Sequence, residues 1–341
     1  MAKTGGSLRS YLLTRLALVL PMVLILLTMV FVLMRVAPGD PVQAALGGHL
    51  SQEMLDARRH AAGFDRPLIV QYLEYLRDVF TGDFGRTLTD NRAVADILVT
   101  NGGATLTLTV AALLVALCLG VPLGLFAGRF RDSSPDGALR VFGILTYAAP
   151  VFFVGLLFQL VFGVYLGWLP TSQQSSPTTF VEERTHILLV DTLLVGDTSG
   201  FVDALEHLVL PAATLGLLVT GIFLRLVRVN VMQALQGDYI EAARARGLPE
   251  SSVVYRHAFR NALVPVVTIM GLQAALLLSG SLLTESTFDW PGLGSQLINY
   301  LNNRDYSAVQ GIITVYALIV VAVSVIIDFV NALIDPRVRY S

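Results

Sequence analysis

Covalent chemistry needs nucleophiles, acids, bases or metal ligands in working arrangements, and this chain of 341 residues offers almost none. Its five histidines do not cluster, and no His-Glu-x-x-His sets two zinc ligands on one helical face. The only lysine is Lys3, so no glycine-rich loop ends in the lysine that a nucleotide cradle requires. No Gly-x-Ser-x-Gly elbow is present, and no serine and histidine pair on neighbouring apolar segments. An ATPase within the chain is excluded, a metal site is unsupported, and an intramembrane protease lacks its machinery. The lone Cys118 lies in an apolar run and is expected to be a small packing residue.

The most marked segment is mechanical rather than chemical. Asp238-Tyr239-Ile240-Glu241-Ala242-Ala243-Arg244-Ala245-Arg246-Gly247-Leu248-Pro249 carries stop signals at both ends. Asp238 suits an N-cap, and Glu241 three residues later suits a capping box. Gly247 suits the left-handed position after a helix, and Pro249 cannot continue it but fits the first turn of the next one. The enclosed helix is about 12 Å long. Isolated helices so short are marginal in water, so the rest of the chain or a partner must hold it. Its alanines let another surface approach closely. Read alone, it is either a surface helix between apolar segments or a contact surface.

The elements that position this helix follow from composition. Hydrophobic residues make up 54% of the chain and charged residues only 14%, against about 25% charged in soluble domains. Much of the surface must therefore face lipid, and a net charge of −2 gives no nucleic-acid footprint. About 20 apolar residues cross a bilayer. Residues 16–34, 104–128, 141–166, 208–227, 263–283 and 312–332 qualify, which predicts six transmembrane helices. In the last, thirteen Ile, Leu, Val and Phe residues favour insertion by about 4–8 kcal/mol. Asp328 would cost about 2.5–3.5 kcal/mol at the bilayer centre and less near the end of the run, where it lies, so insertion wins. The first segment is too long for a signal-peptide core and lacks an Ala-x-Ala site, so it reads as an uncleaved anchor. Fourteen basic residues fall on the side holding both termini and nine on the other, seven of those in or bordering residues 35–103. Both termini are predicted cytoplasmic.

Residues 36–103 form an external segment in which Leu68, Tyr72, Leu73, Leu76 and Phe80 recur at helical spacing until Gly82-Asp83-Phe84-Gly85 breaks the pattern. It reads either as a helical hairpin resting on the membrane or as a docking surface or outer gate. Gly120, Gly124 and Gly128 make a face for close helix packing, with Pro122 as a candidate kink. Gln273, Leu277, Gly280 and Thr284 share one helical face; they and Gln159 either line a translocation path or make ordinary interhelical hydrogen bonds. Phe288 and Trp290 read as anchors at the outer membrane interface. Asp328 suits pairing with nearby basic residues.

Glu241-Ala242-Ala243, three residues and then Gly247, between two late apolar segments, resembles the EAA motif of binding-protein-dependent ABC importer permeases. The stretch 256–267, Glu285-Ser286-Thr287-Phe288-Asp289-Trp290-Pro291-Gly292-Leu293-Gly294, the stretch 304–311 and the ending 335–340 resemble the dipeptide, oligopeptide and nickel branch. Arg35-Val36-Ala37-Pro38-Gly39-Asp40-Pro41, residues 82–85 and residues 207–211 resemble its first-position subunit. The proline of the wider EAA pattern arrives late here, at Pro265, a shift that the peptide branch shares. Residues 185–200 are longer than in many members.

The resemblance implies an all-α type I importer permease fold with six transmembrane helices in a bacterial cell membrane. Residues 1–35 would hold a tail and the first helix, 36–103 the external segment, 104–335 a five-helix core with a coupling loop at 229–262, and 336–341 a cytoplasmic tail. Asp238, Tyr239, Glu241, Ala242, Ala243 and Gly247 would contact an ATPase subunit. Implied partners are a second homologous permease, two cytoplasmic ATPases that bind the ATP and magnesium, and an external solute-binding protein. No cofactor is implied in this chain. The implied solute is a di- or oligopeptide, with nickel complexes and glutathione as alternatives. An ion-driven carrier fits the composition but leaves the capped cytoplasmic helix unexplained.

Overall fold

The computed structural model describes residues 8–36, 40–46, 51–61 and 63–334. Every named element in them is helical: α1 (Leu8–Val36), α2 (Pro41–Leu46), α3 (Gln52–Ala61), α4 (Leu68–Thr81), α5 (Val94–Arg129), α6 (Ser134–Ala148), α7 (Val151–Phe158), α8 (Leu188–Val195), α9 (Thr198–Ala234), α10 (Asp238–Ala245), α11 (Glu250–Ser252), α12 (Phe259–Gly280), α13 (Leu282–Thr287), α14 (Leu293–Asn302) and α15 (Tyr306–Ile334). Stretches of wider, π-type turn follow α7 at Gln159–Tyr165 and join α11 to α12 at Val253–Ala258.

Among the described residues, four helices are long and apolar enough to cross a membrane: Arg15–Val36 of α1, α5, α9, and Tyr306–Ile327 of α15. The predicted straight span over residues 141–166 does not form. Ser134–Ala148 and Val151–Tyr165 meet at an angle of 104°, and together they count as a fifth, bent span. Proline causes the break. Pro150 has no N–H to continue a ladder, and its ring pushes Ala149 out of the helical region, to φ −74° and ψ 132°. The described apolar run of α12, Pro265–Leu278, is shorter than the others. The side chain of Asp328 and the motifs at 37–39 and 335–340 lie outside the described residues.

α9 is the central helix, with 72% of its apolar window buried, against 22–33% for α1, α5 and α15. Its main partner is α5. A Cβ on Gly120 would stand 2.7 Å from Phe223 Cβ, and one on Gly124 only 2.6 Å from the Leu224 carbonyl oxygen. The glycine face therefore packs within this chain and lets two backbones close together. Pro122 sits inside α5 without ending it. Cys118 is exposed rather than packed. It lies two residues, about 200°, around the helix from Gly120 and so points away from α9.

At the end of the bundle away from α10, a second apolar cluster joins the start of α5 to α14 and α15 through Val94, Ile97, Leu293, Tyr300 and Ile312. Two buried acids pin the loops there. Asp305 accepts hydrogen bonds from the backbone N–H groups of Leu88 (2.6 Å) and Thr89 (2.9 Å) and from the Thr89 hydroxyl. Glu285 accepts from the Thr105 and Ser281 hydroxyls and from the Gly294 and Ser295 N–H groups. Phe288 and Trp290 are not interface anchors: both are fully enclosed, and the Trp290 indole N–H donates to the Ala104 carbonyl at 2.9 Å. A buried indole needs such a partner.

Candidate coupling site

α10 spans eight residues, and the chain itself holds it in place. Ile240 and Ala243 are buried against Val253 and Ala258, with Ala234 and Leu235 from the end of α9 closing the cluster. The C-terminal stop forms as the glycine requires. Gly247 has φ +73°, its N–H bonds the Arg244 carbonyl at 2.9 Å, and the Leu248 N–H reaches back to Ala243 at 3.4 Å. This is the paired bond pattern of a left-handed helix stop. The N-terminus differs from expectation. Gly237, extended at φ −80° and ψ 147°, is the cap, Asp238 is the first helical residue, and no side chain caps the helix. Asp238 and Glu241 instead place negative charge in the first turn, where the helix dipole favours it.

Pro249 stands just before α11 and starts the continuous helical run into α12. Arg244 donates to both oxygens of Glu250, at 3.1 and 2.7 Å, across the loop that joins α10 to α11. The Arg244 hydrogen bond holds the Glu250 carboxyl below its usual range. Both side chains are about half exposed, so the pair contributes at most about 1 kcal/mol.

These contacts divide the predicted site residues. Asp238, Tyr239, Glu241, Ala242 and Gly247 are exposed on one outward surface. Ala243 is not among them. It falls on the inner stripe with Ile240, three residues before it, and serves to seat the helix. The outward surface carries two carboxylates, an aromatic ring and a methyl group. It has no arrangement for covalent chemistry, and among the described residues no group of three His, Cys, Asp or Glu side chains can hold a metal ion.

The residues predicted for a translocation path differ in their surroundings. The Gln159 amide N–H group donates to the carbonyls of Thr171 (2.7 Å) and Thr287 (3.0 Å), tying the π-type turn to two loops. Thr284, in α13, is fully buried with its hydroxyl unpartnered among the described residues. Gln273 is half-buried and Gly280 is exposed.

Sequence reasoning missed an ion pair one turn and a half before the end of α9. Arg228 donates to both oxygens of Asp136 in the first turn of α6, at 2.6 and 2.8 Å. Asp136 also accepts from the Asp132 backbone N–H at 3.0 Å. A signal existed: Ser133-Ser134-Pro135-Asp136 is a helix start, and Arg225 and Arg228 are charges in an otherwise apolar stretch of α9.

The family model described as binding-protein-dependent transport system inner membrane component matches residues 120–340, and the model for the N-terminal part of such components matches residues 8–109. The di/tripeptide transport system permease protein DppB of Pseudomonas aeruginosa is 37% identical over 332 residues, covering 97% of this chain and 99% of its own. The dipeptide transport system permease protein DppB of Escherichia coli K12 is 35% identical over 338 residues, covering 97% and 98%. The glutathione transport system permease protein GsiC of Salmonella choleraesuis is 33% identical over 331 residues, covering 97% and 99%. With both halves matched and relatives aligned end to end, the chain belongs to the binding-protein-dependent ABC transport permeases, non-catalytic inner-membrane components that work with a binding protein and an ATPase.

Proposed function

We propose that this chain is the first-position permease of an importer for di- or oligopeptides, which it moves by alternating access. The outward surface of α10 meets an ATPase subunit. Closure of two such ATPases around ATP pushes the helix, and hydrolysis resets it. The reading rests above all on one observation: α10 exposes Asp238, Tyr239, Glu241, Ala242 and Gly247 while Ile240 and Ala243 fasten it to α9. A helix seated this way passes force to the bundle instead of folding under it.

The same reading includes a second homologous permease and both termini on the cytoplasmic side. It counts six spans, with α6 and α7 forming a bent one and α12 the short fifth. Residues 36–103 form the external segment, and residues 104–335 form the core with its coupling loop at 229–262. Gln273 and Gly280 line the path, while Gln159 and Thr284 brace it. The peptide solute is supported by relatives named for dipeptides at 35–37% identity over nearly the whole chain. Glutathione, itself a tripeptide, is the second reading, because a relative named for it matches at 33% with the same coverage.

The test is uptake of a labelled dipeptide into vesicles holding the assembled transporter, with ATP hydrolysis measured in parallel. Gly247→Pro cannot adopt φ +73°, since proline is fixed near −65°. Uptake is expected to collapse while ATP hydrolysis continues. Wild-type uptake by Gly247→Pro refutes the coupling role. Uptake that outlasts ATP depletion with the ion gradient intact refutes ATP drive. Competition by glutathione stronger than by dipeptides selects the second solute.

A further inference from the structure

α4 has an apolar stripe that the other described residues leave exposed at Ile69, Leu73 and Phe80 and half-buried at Leu76. Ile69, Leu73, Leu76 and Phe80 recur at steps of four, three and four residues, the spacing of one helical face. Ile69 is 73% exposed, and Leu73 and Phe80 are each 60% exposed. The side turned inward is mixed, with Gln71 and Val79 buried and Tyr72 and Tyr75 half-buried. Gln71 accepts from the Arg35 guanidinium at 2.9 Å, and the Tyr72 hydroxyl meets Thr28 at 2.6 Å. The Tyr75 hydroxyl meets Thr314 of α15 at 2.7 Å. Phe31 packs against both rings, with centroids 5.3 and 5.7 Å away. A helix free in solvent would show the reverse, with its apolar stripe inward.

The positions of these contacts fix the depth of α4. Thr28 and Phe31 belong to the apolar run Arg15–Val36 of α1, a membrane span. Thr28 lies eight residues before its end, about 12 Å along the axis. Tyr72 therefore reaches below the rim of the hydrocarbon layer. α4 touches α1 through Gln71, Tyr72 and Tyr75, which meet Arg35, Thr28 and Phe31 over about the last two turns of the span. The neighbouring surface of α1 is equally bare and apolar: Met29, Val32 and Leu33 are all exposed. The two patches belong to one molecule at one level. Beside the stripe Arg77 is exposed and pairs with Asp78, and on the far side of the helix Glu74 pairs with Arg66.

We propose that α4 is an interfacial helix whose Ile69–Leu73–Leu76–Phe80 stripe lies in the acyl boundary of the lipid leaflet at the end of the bundle away from α10. Such helices sink their apolar face roughly 5–10 Å into the headgroup–acyl boundary. Here the span itself sets the depth through the Thr28, Phe31 and Arg35 contacts. The occupant is lipid because the stripe continues the bare surface of a membrane-crossing helix. The helix would thereby hold the loop 82–93 and the buried Asp305 network at a fixed height above the membrane.

The experiment uses the assembled transporter in vesicles of phosphatidylethanolamine and phosphatidylglycerol. With Cys118→Ser as background, single nitroxide labels are attached at Leu73→Cys, Phe80→Cys and, as an aqueous reference, Asp83→Cys. Collision of each label with oxygen, which concentrates in lipid, is compared with collision with a water-soluble nickel chelate. The proposal expects the oxygen-to-nickel ratio at residues 73 and 80 to exceed that at residue 83 several-fold. Equal ratios at the three positions overturn it, because the stripe would then face water. Low collision with both reagents at residues 73 and 80 also overturns it, because a partner protein would then cover the stripe. The labelled positions are exposed, so folding is not at stake, and unchanged ATP hydrolysis verifies the assembly.

Discussion

Asp136→Asn is the sharpest test of how this bundle is held together at its α10 end. The wild-type carboxylate has no exposed side-chain surface, and Arg228 shows 14%. The carboxylate receives both Arg228 bonds and the Asp132 N–H, while Arg140 stands 3.7 Å away. Removing one member of a buried pair costs about 3–5 kcal/mol, since the other charge stays enclosed. At about 1.4 kcal/mol per tenfold, the population in which α6 is detached from α9 rises by about two to three and a half orders of magnitude. The assay is thermal unfolding in detergent through a double-mutant cycle with Arg228→Met. Each single variant is expected to unfold well below wild type. The double variant should recover much of the loss, because no charge is left stranded. If both single changes stay within the ~0.5 kcal/mol of ordinary surface substitutions, the buried-pair reasoning is wrong.

Other consequences are as specific. Ala242→Arg, on the outer side of α10, should leave unfolding temperature unchanged and abolish uptake, whereas Ala243→Arg, on the inner side, should lower the unfolding temperature as well; equal effects would refute the division between the two faces. Gly124→Leu forces side-chain atoms into the Leu224 backbone and Val227, which lie 2.6 and 2.8 Å from where a Cβ would stand, and should destabilise by at least the ~1–3 kcal/mol of overpacked cores, read as loss of folded protein in membranes. Trp290→Ala empties an enclosed site and removes the indole bond to the Ala104 carbonyl, at a cost of about 3–5 kcal/mol, whereas an interface anchor would lose far less. The low carboxyl pKa of Glu250 makes its contribution complete above the ordinary glutamate range and lost as pH falls through the lowered value; any acid loosening of the loop after α10 should therefore shrink in Glu250→Gln, measured by proteolysis between about pH 3 and pH 5.

What is legible in the sequence is what local physics controls. The period of α4 and the glycine that ends α10 are backbone matters, and both form where the spacing puts them. The break at Pro150 is legible in principle, but the run of apolar residues around it masks a rule that applies to every residue before a proline. The misplaced aromatics and acids have a different cause. Phe288 and Trp290 sit where apolar sequence meets polar, a pattern shared by membrane-interface anchors and by loops folded back into a core. Glu285 and Asp305 look like loop acids until the loop N–H groups that satisfy them are placed. Composition alone misplaces Cys118, although the glycine face two residues away already implies its direction.

The arrangement around α9 favours transmission over local yielding. At one end of that helix, Ala234 and Leu235 close the cluster that seats α10. One turn and a half earlier, Arg228 grips α6. Along its length, the glycines of α5 bring two backbones within van der Waals reach. On the proposed coupling, a push on α10 reaches α9 and, through it, α5 and α6. The places to yield on that coupling are the 104° break beside Pro150 and the π-type turn Val253–Ala258 between α11 and α12. Wider turns of that kind are frequent at functional sites. Deleting one residue from Val253–Ala258, which restores regular helix, should stiffen that joint and slow uptake per ATP hydrolysed without loosening α10. Unchanged coupling in such a variant would place the hinge at Pro150 alone.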